Sequence, residues 1–304
     1  MPAAVKVRVP ATVANLGPGF DALGVAVRMH LEVDIEPRRD TVEIMVEGEG
    51  AEQLPVDDQN LVVRAMNLFF DHVARRPAGY AVRVRNPIPL ASGLGSSAAA
   101  VVGGLVVARA LTGRAVSQSE MVALATDMEG HPDNVLPALL GGLVVCYARV
   151  ADGDLRHFRL EPSERLVPII VVPRAGYSTG AARRALPEGV SFADAQHTAS
   201  RAALVVASLV EGAGMDVLVE AMNDRLHEPH RLELMPETAA VHAELRAAGV
   251  AVALAGAGPS LLVVAPRPEA AMRAEQVRRI CRARRAGWRV FVSEWELQGA
   301  SATP

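Results

Sequence analysis

Between Ala98 and Ala108 the chain carries no polar side chain, and the run follows directly on the turn-forming stretch Pro89-Leu90-Ala91-Ser92-Gly93-Leu94-Gly95-Ser96-Ser97. Residue spacing predicts one helix from Ser96 to Leu111, closed by Thr112-Gly113. A helix that is apolar on every face cannot lie on a surface. It must be buried, and its small residues Ala98, Ala99, Ala100, Gly103 and Gly104 let neighbouring elements approach closely. Whatever fold the chain adopts has this helix inside it, with a glycine- and serine-rich loop at its head.

The segments around the helix alternate apolar and polar residues in the strand period at Val5 to Val9, Leu31 to Ile35, Val42 to Val46 and Tyr80 to Val84, so the first part of the chain opens as a sheet. A helix is expected over Asn60 to His72. Another begins at the capping box of Ser117 and Glu120 and runs to Glu129, where Gly130 stops it. A short helical piece and Gly141-Gly142 then lead into a strand from Leu143 to Ala148. Ala151 to Arg165 is polar and holds a hairpin turn at Asp152-Gly153-Asp154. At 304 residues the chain exceeds what one core usually serves, and this stretch divides it into residues 1–155 and 156–304.

Beyond the boundary come a strand from Leu166 to Val172 and helices around Gly180 to Leu186, Phe192 to Val210, Asp216 to Leu226 and Glu237 to Ala248. Strands on either side of Gly256 to Ser260, a helix from Pro268 to Ala286 and a strand from Trp288 to Ser293 complete an α+β second part.

Charge and composition exclude several classes. The formal net charge is −3 with both signs mixed along the chain, so no basic field exists to hold a nucleic acid or an anionic membrane. The uncharged stretch Ala247 to Pro266 is broken by Gly249, Gly256, Gly258 and Pro259 and reads as strand, turn, strand rather than a membrane span. The N-terminal stretch has no basic segment followed by an apolar core, and the two cysteines, Cys146 and Cys281, are far apart and outside any metal-ligand spacing. These features suit a cytoplasmic protein with buried, inert thiols. Lys6 is the one lysine in the chain, which excludes a Walker-type phosphate site.

Four constellations carry chemistry. In the loop before the buried helix, Gly93 and Gly95 permit close backbone approach, and the free amides at a helix head attract phosphate; a tight loop with a serine cap is the plainer alternative. In Pro10-Ala-Thr-Val-Ala-Asn-Leu-Gly-Pro-Gly-Phe-Asp21, a rigid turn places Asn15 and Asp21 on its flanks, where an amide and a carboxylate suit an amino group. In Thr126-Asp-Met-Glu-Gly-His-Pro-Asp-Asn134, Asp127 and Glu129 oppose the helix dipole at a helix end, a cost that a bound cation would offset; only one of the two can readily face a given ion. Leu254-Ala-Gly-Ala-Gly-Pro-Ser-Leu261 is a glycine turn between strands, which could also lie against phosphates from the opposite side of a cleft.

Together and in this order the four motifs resemble the GHMP kinases, and the opening motif with Glu129-Gly-His-Pro-Asp-Asn-Val135 is similar to the homoserine kinase branch. The mevalonate kinase branch carries a lysine in its opening motif, where this chain has Thr12. The resemblance extends over nearly the whole chain. It implies an α+β fold of two domains, an N-terminal ribosomal-protein-S5-like α/β domain and a C-terminal ferredoxin-like domain. It also implies ATP and Mg²⁺, the small-molecule substrate L-homoserine, and a homodimer as an open alternative.

By the same resemblance the phosphates lie on Pro89 through Ala99 with Gly256 and Gly258, and the adenine lies near Asn60 and Leu61. The metal takes Ser97 and one of Asp127 and Glu129, Asp127 being the aligned position. Asn15, Asp21, His131, Asn134, Thr179, Arg183 and Arg231 hold homoserine, the arginines on its carboxylate. Asn15 and Arg183 also stand with Asp133 at the reacting groups, where Asp133 is the residue used as general base in some relatives.

Overall fold

The computed structural model describes residues 4–212, 214–284 and 287–303. Two sheets organise the chain. The first contains β1 (Val5–Ala14), β2 (Leu23–Arg38), β3 (Val42–Gly48) and, after helix α1 (Leu61–His72), β4 (Gly79–Asn86). Helices α2 (Ser96–Thr112), α3 (Gln118–Glu129) and α4 (Pro132–Leu140) follow, then the hairpin β5 (Leu143–Ala148) and β6 (Leu155–Leu160). The second sheet takes β7 (Leu166–Val172), then, past α5 (Thr179–Arg184), α6 (Phe192–Glu211), α7 (Met215–Ala221), α8 (Glu228–Glu233) and α9 (Pro236–Ala247), β8 (Ala251–Leu254) and β9 (Leu261–Pro266). Helix α10 (Ala270–Arg282) leads to its last strand, β10 (Arg289–Val292).

The first sheet runs β11-β1-β2-β4-β3, where β11 (Ser301–Thr303) brings the chain end back beside β1. β5 pairs with the start of β2 and carries β6 on its other edge; only β3 and β4 are parallel. The second sheet is antiparallel, in order β10-β7-β9-β8.

The apolar helix α2 lies inside the first part, with Val101, Val102, Leu105 and Val106 at most 1% exposed. Gly104 is where α1 crosses it: an added Cβ would stand 2.3 Å from the Val62 carbonyl oxygen. β7 is buried on both faces. Its Ile170 and Val172 join the large core shared with the first sheet, and its Ile169 and Val171 join a second core under Val241, Leu245, Ala274 and Val277 of α9 and α10. This two-sided burial explains a strand written as an unbroken apolar run. Among the described residues no helix is long and apolar enough to cross a membrane, and Ala247 to Pro266 is the strand-turn-strand its glycines predict.

Several boundaries differ from the sequence expectation. β1 extends to Ala14 and β2 begins at Leu23, because the pairing register shifts at a bulge between Pro10 and Ala11 and interrupts the simple alternation. The polar stretch after Ala151 contains a strand, β6, so the chain leaves the first sheet after Leu160, five residues past the 155/156 boundary. The helix expected to reach Leu226 stops at Ala221, since the Asp224 carboxylate accepts from the amides of Leu226, His227 and Glu228 and turns the chain into α8. The expected helix end at Ala286 lies outside the described residues, and α10 closes at Arg282.

Candidate active site

A cleft of about 480 Å³ opens where the head of α2, the turn after β1, the start of α4 and helices α5 and α8 converge. Its floor is the loop from Pro89 to Ser97. Asn86 shapes the entry to that loop: its Oδ1 accepts from the Ile88 amide at 3.0 Å, and its Nδ2 donates to the Ile88 and Glu49 carbonyls at 3.1 Å. Gly93 and Gly95 have φ of +83° and +68°; a Cβ would stand 1.9 Å from the Ala255 oxygen at Gly93 and 2.0 Å from Thr12 Oγ1 at Gly95. Side chains are excluded at both positions.

Gly95 caps α2 and no side chain covers the first turn, so the helix head keeps amide donors for a ligand; the serine cap allowed by the sequence is not formed. Gly95, Ser96 and Ser97 line the cleft, whereas Ala98 and Ala99 are fully buried behind it. The turn after β8 buttresses this floor rather than facing it across a gap. Ser260 donates its amide to the Ser92 carbonyl at 3.1 Å and Gly256 donates to that of Ala14 at 3.1 Å. Gly256 reaches the cleft and Gly258 does not, being turned toward Met235.

One end of the cleft is apolar, with Leu54, Leu61, Val84 and Leu90 in its wall. Asn60 stands there too, with its polar atoms engaged: Oδ1 caps the Val62 amide at 3.0 Å and Nδ2 donates to the Pro55 carbonyl at 2.7 Å.

At the acidic helix end, Glu129 enters the cleft and accepts from the Ser97 hydroxyl, while Asp127 is exposed and does not line it. Two residues on a helix are about 200° apart, so a single cation site cannot readily take both. Burial holds the Glu129 carboxyl above its usual range, against the Ser97 hydrogen bond. A hydroxyl beside a carboxylate that a cation would relieve fits an ion such as Mg²⁺, which takes one or two protein oxygens and keeps phosphate and water as its other ligands.

His131 caps α4, with Nδ1 3.3 Å from Asp133 Oδ1; that contact raises the imidazole's pKa despite its burial. Asp133, in the first turn of α4, is 2% exposed, and its Oδ1 has no well-formed hydrogen bond. Asn134 accepts through Oδ1 from Thr12 Oγ1 at 2.8 Å, an anchor that the sequence offers only as the absence of a lysine.

On the opposite wall, Asn15 ties two loops together: Nδ2 donates to the Gly256 carbonyl at 2.8 Å, and Oδ1 accepts from the Asp21 amide at 3.0 Å. Arg183 donates from Nη2 to both Asp21 oxygens, at 2.9 and 2.8 Å. Thr179 begins the short helix that carries Arg183 and also lines the cleft.

Arg231, on α8, is 3% exposed. Its Nη1 donates to the Gly256 carbonyl at 3.1 Å and lies 3.2 Å from His227 Nδ1, while its Nε has no partner. Among the described residues no carboxylate stands within 4.0 Å of it. Burial pushes its pKa below the ordinary value, against the pull of Asp21. A desolvated guanidinium with no anion beside it is costly, and the cost falls when a carboxylate arrives. The Phe20 ring lies 5.2 Å from this guanidinium and 5.8 Å from that of Arg183.

The cleft therefore gathers every candidate site residue that the resemblance implies except Asp127, Ala98, Ala99 and Gly258. Asn86, Leu54, Phe20 and His227 had no signal of their own; each matters through tertiary contacts.

Residues 60–142 match the model of the GHMP kinases' N-terminal domain, and residues 210–283 match that of the GHMP kinases' C-terminal domain. The chain is 39% identical over 306 residues to the homoserine kinase of Streptomyces avermitilis, covering 99% of this chain and 96% of that protein. It is 44% identical over 260 residues to the homoserine kinase of Moorella thermoacetica, covering 84% of this chain and 86% of that one. The crystal structure of homoserine kinase from Cytophaga hutchinsonii superposes with a TM-score of 0.87 at 29% identity, covering 100% of this chain and 98% of that one.

Proposed function

The chain belongs to the GHMP kinases, within their homoserine kinase group, and we propose that its cleft transfers the γ-phosphoryl group of ATP to the side-chain hydroxyl of L-homoserine. The product, O-phospho-L-homoserine, serves threonine biosynthesis. The observation that carries the reading of the acceptor is Arg231: a buried guanidinium without an anion, beside the Asp21–Arg183 pair. An α-amino acid presents one carboxylate and one ammonium. Arg231 and the free edge of Arg183 suit the first, and Asp21 suits the second, with Asn15, Asn134 and Thr179 enclosing the rest of the molecule.

The ATP phosphates lie against the amides of Gly95, Ser96 and Ser97, and the base lies at the apolar end near Asn60 and Leu61. Ser97 and Glu129 would hold Mg²⁺, which would supply neutralisation of the charge that develops during transfer. Asp21, Arg183 and Arg231 hold the acceptor so that its hydroxyl oxygen faces the γ-phosphorus in line with the bond to ADP. As the new P–O bond forms and the bond to ADP breaks, the hydroxyl proton passes to Asp133 Oδ1, the buried acceptor with no well-formed hydrogen bond.

Residues 1–155 supply the phosphate loop, the cation ligands and Asp133, and residues 156–304 supply Thr179, Arg183 and Arg231. Two buried, unpaired cysteines suit a cytoplasmic enzyme. The test is an ADP-release assay across L-homoserine, mevalonate, galactose and L-serine. L-Homoserine should lead in kcat/KM by at least about a hundredfold, since missing polar contacts in a built site are heavily penalised. Comparable rates on any of the other three would overturn the assignment.

A further inference from the structure

His227 is fully buried and lies on neither the phosphate side nor the acceptor side of the cleft, yet it joins the two halves of the chain. Its Nε2 stands 2.8 Å from the Gly17 carbonyl oxygen, which can only accept, so Nε2 carries a proton. Its Nδ1 stands 3.2 Å from Arg231 Nη1, which can only donate, so Nδ1 is the acceptor. Both neighbours, and the Asp224 carboxylate 3.6 Å from Nε2, thus favour the proton on Nε2 and the lone pair on Nδ1.

Asp224 fixes where the imidazole starts, accepting from the His227 amide at 2.7 Å and from the Glu228 amide at 2.8 Å. The Phe20 ring stands 5.2 Å from the imidazole ring and 5.2 Å from the Arg231 guanidinium, so it packs against both. Gly17 and Phe20 belong to the turn after β1, and His227 and Arg231 belong to the second half of the chain. The imidazole therefore acts with the Gly256 carbonyl, 3.1 Å from the same Nη1, in setting the angle at which Arg231 enters the cleft, and Nε is left without a partner.

We propose that His227 is a positioning residue for the acceptor's carboxylate: locked by the Gly17 carbonyl in its Nε2–H form, it holds Arg231 Nη1 and so aims the opposite edge of the guanidinium at the substrate. The inference rests on Arg231 being the carboxylate ligand. Its consequence is discrimination. An acceptor with a carboxylate gains from the held guanidinium, and the same alcohol without one does not.

The test compares L-homoserine with 3-amino-1-propanol, the same molecule lacking the carboxylate, on the full chain and on His227→Phe, His227→Gln and His227→Asn. Glutamine can place its amide N–H near the position of Nε2 to donate to Gly17, which leaves its Oε1 off the position of Nδ1, whereas asparagine can place Oδ1 near the position of Nδ1. The Phe and Gln variants should lose about tenfold to a hundredfold in kcat/KM for L-homoserine, mainly through KM, while the amino alcohol and ATP binding change by less than about threefold. Asn should recover most of the loss.

Equal losses on both acceptors, no loss in Phe and Gln, or Asn no better than Gln would each overturn the proposal. If His227→Phe melts out, the Gln and Asn pair decides it. Arg231→Ala serves as the separate check. If it abolishes the preference for L-homoserine while the His227 variants keep it, the positioning role alone falls; if it keeps the preference, the carboxylate site is misplaced and the positioning role falls with it.

Discussion

Replacing Arg231 with methionine should separate binding from stability in an informative way. The side chain is 3% exposed and has two polar contacts, to the Gly256 carbonyl and to His227 Nδ1. Methionine fills a similar volume beside Phe20 and carries no charge. Removing a desolvated cation that has no anion gains about 1–4 kcal/mol, and leaving His227 Nδ1 without its donor costs about 1–3 kcal/mol. The Gly256 carbonyl keeps the Asn15 donor at 2.8 Å. The two terms nearly cancel, so the free protein's stability should change by less than about 2 kcal/mol, a few degrees in Tm.

Binding of the acceptor does not share that cancellation. A charge pair shielded from water is worth about 2–5 kcal/mol when one partner is removed, so kcat/KM for L-homoserine should fall roughly thirtyfold to a few thousandfold. Steady-state kinetics with each substrate varied, an ATP binding isotherm and a melting curve measure all three quantities. A structural arginine would give a different result: a loss of about 3–5 kcal/mol in stability, with ATP and homoserine binding failing together. That outcome, or homoserine kinetics within about threefold of the parent, would refute the reasoning.

Glu129→Gln should raise the Mg²⁺ concentration for half-maximal rate by at least about tenfold, while Asp127→Asn stays near the parent; the reverse ranking would move the cation to Asp127. Asp133→Asn should lower kcat by about a hundredfold or more while L-homoserine KM changes little, and a kcat within about threefold of the parent would remove the proton-accepting role. Burial pushes the Cys146 thiol up to about 12, with a further push from Asp133, and the Cys281 thiol up to about 11. Iodoacetamide at pH 8 should therefore label the native protein at least about a hundredfold more slowly than the urea-unfolded chain, because only the thiolate reacts; comparable rates would contradict the burial of these thiols.

What could be read in advance depended on whether a residue's role is local. β5 and β7 fall on the expected bounds, and α2 runs one residue past its expected end, because an apolar run bounded by turn residues leaves little choice. β2 is less legible: it spans Leu23–Arg38, and at its middle Arg28 and Met29 have no partner on β1, which breaks the alternation that reveals its second half. The cleft shows the same division. The loop from Pro89 to Ser97 announces itself through glycines whose Cβ positions are occupied by neighbours.

Arg231 does not announce itself. With Glu228 and Glu233 close in sequence, it reads equally well as half of an ordinary surface ion pair. In the folded chain Glu228 turns inward instead, accepting from the Leu254 amide at 2.6 Å and lying 3.5 Å from His242, and the arginine is left without an anion. His227 is less legible still, since its partners are 210 residues away at Gly17 and one helical turn away at Arg231. Which of Asp127 and Glu129 enters the cleft depends on which face of α3 meets the head of α2, a packing fact that no local pattern encodes.

The most direct measurement follows the phosphorus itself. Incubating the protein with ATP, Mg²⁺ and L-homoserine and recording the ³¹P spectrum should show ADP and a new phosphate monoester, O-phospho-L-homoserine, growing together in equal amounts, with inorganic phosphate near the level of a sample without protein. Growth of ADP with inorganic phosphate alone, or no ADP in the presence of L-homoserine, would contradict the assignment of this cleft as a homoserine kinase.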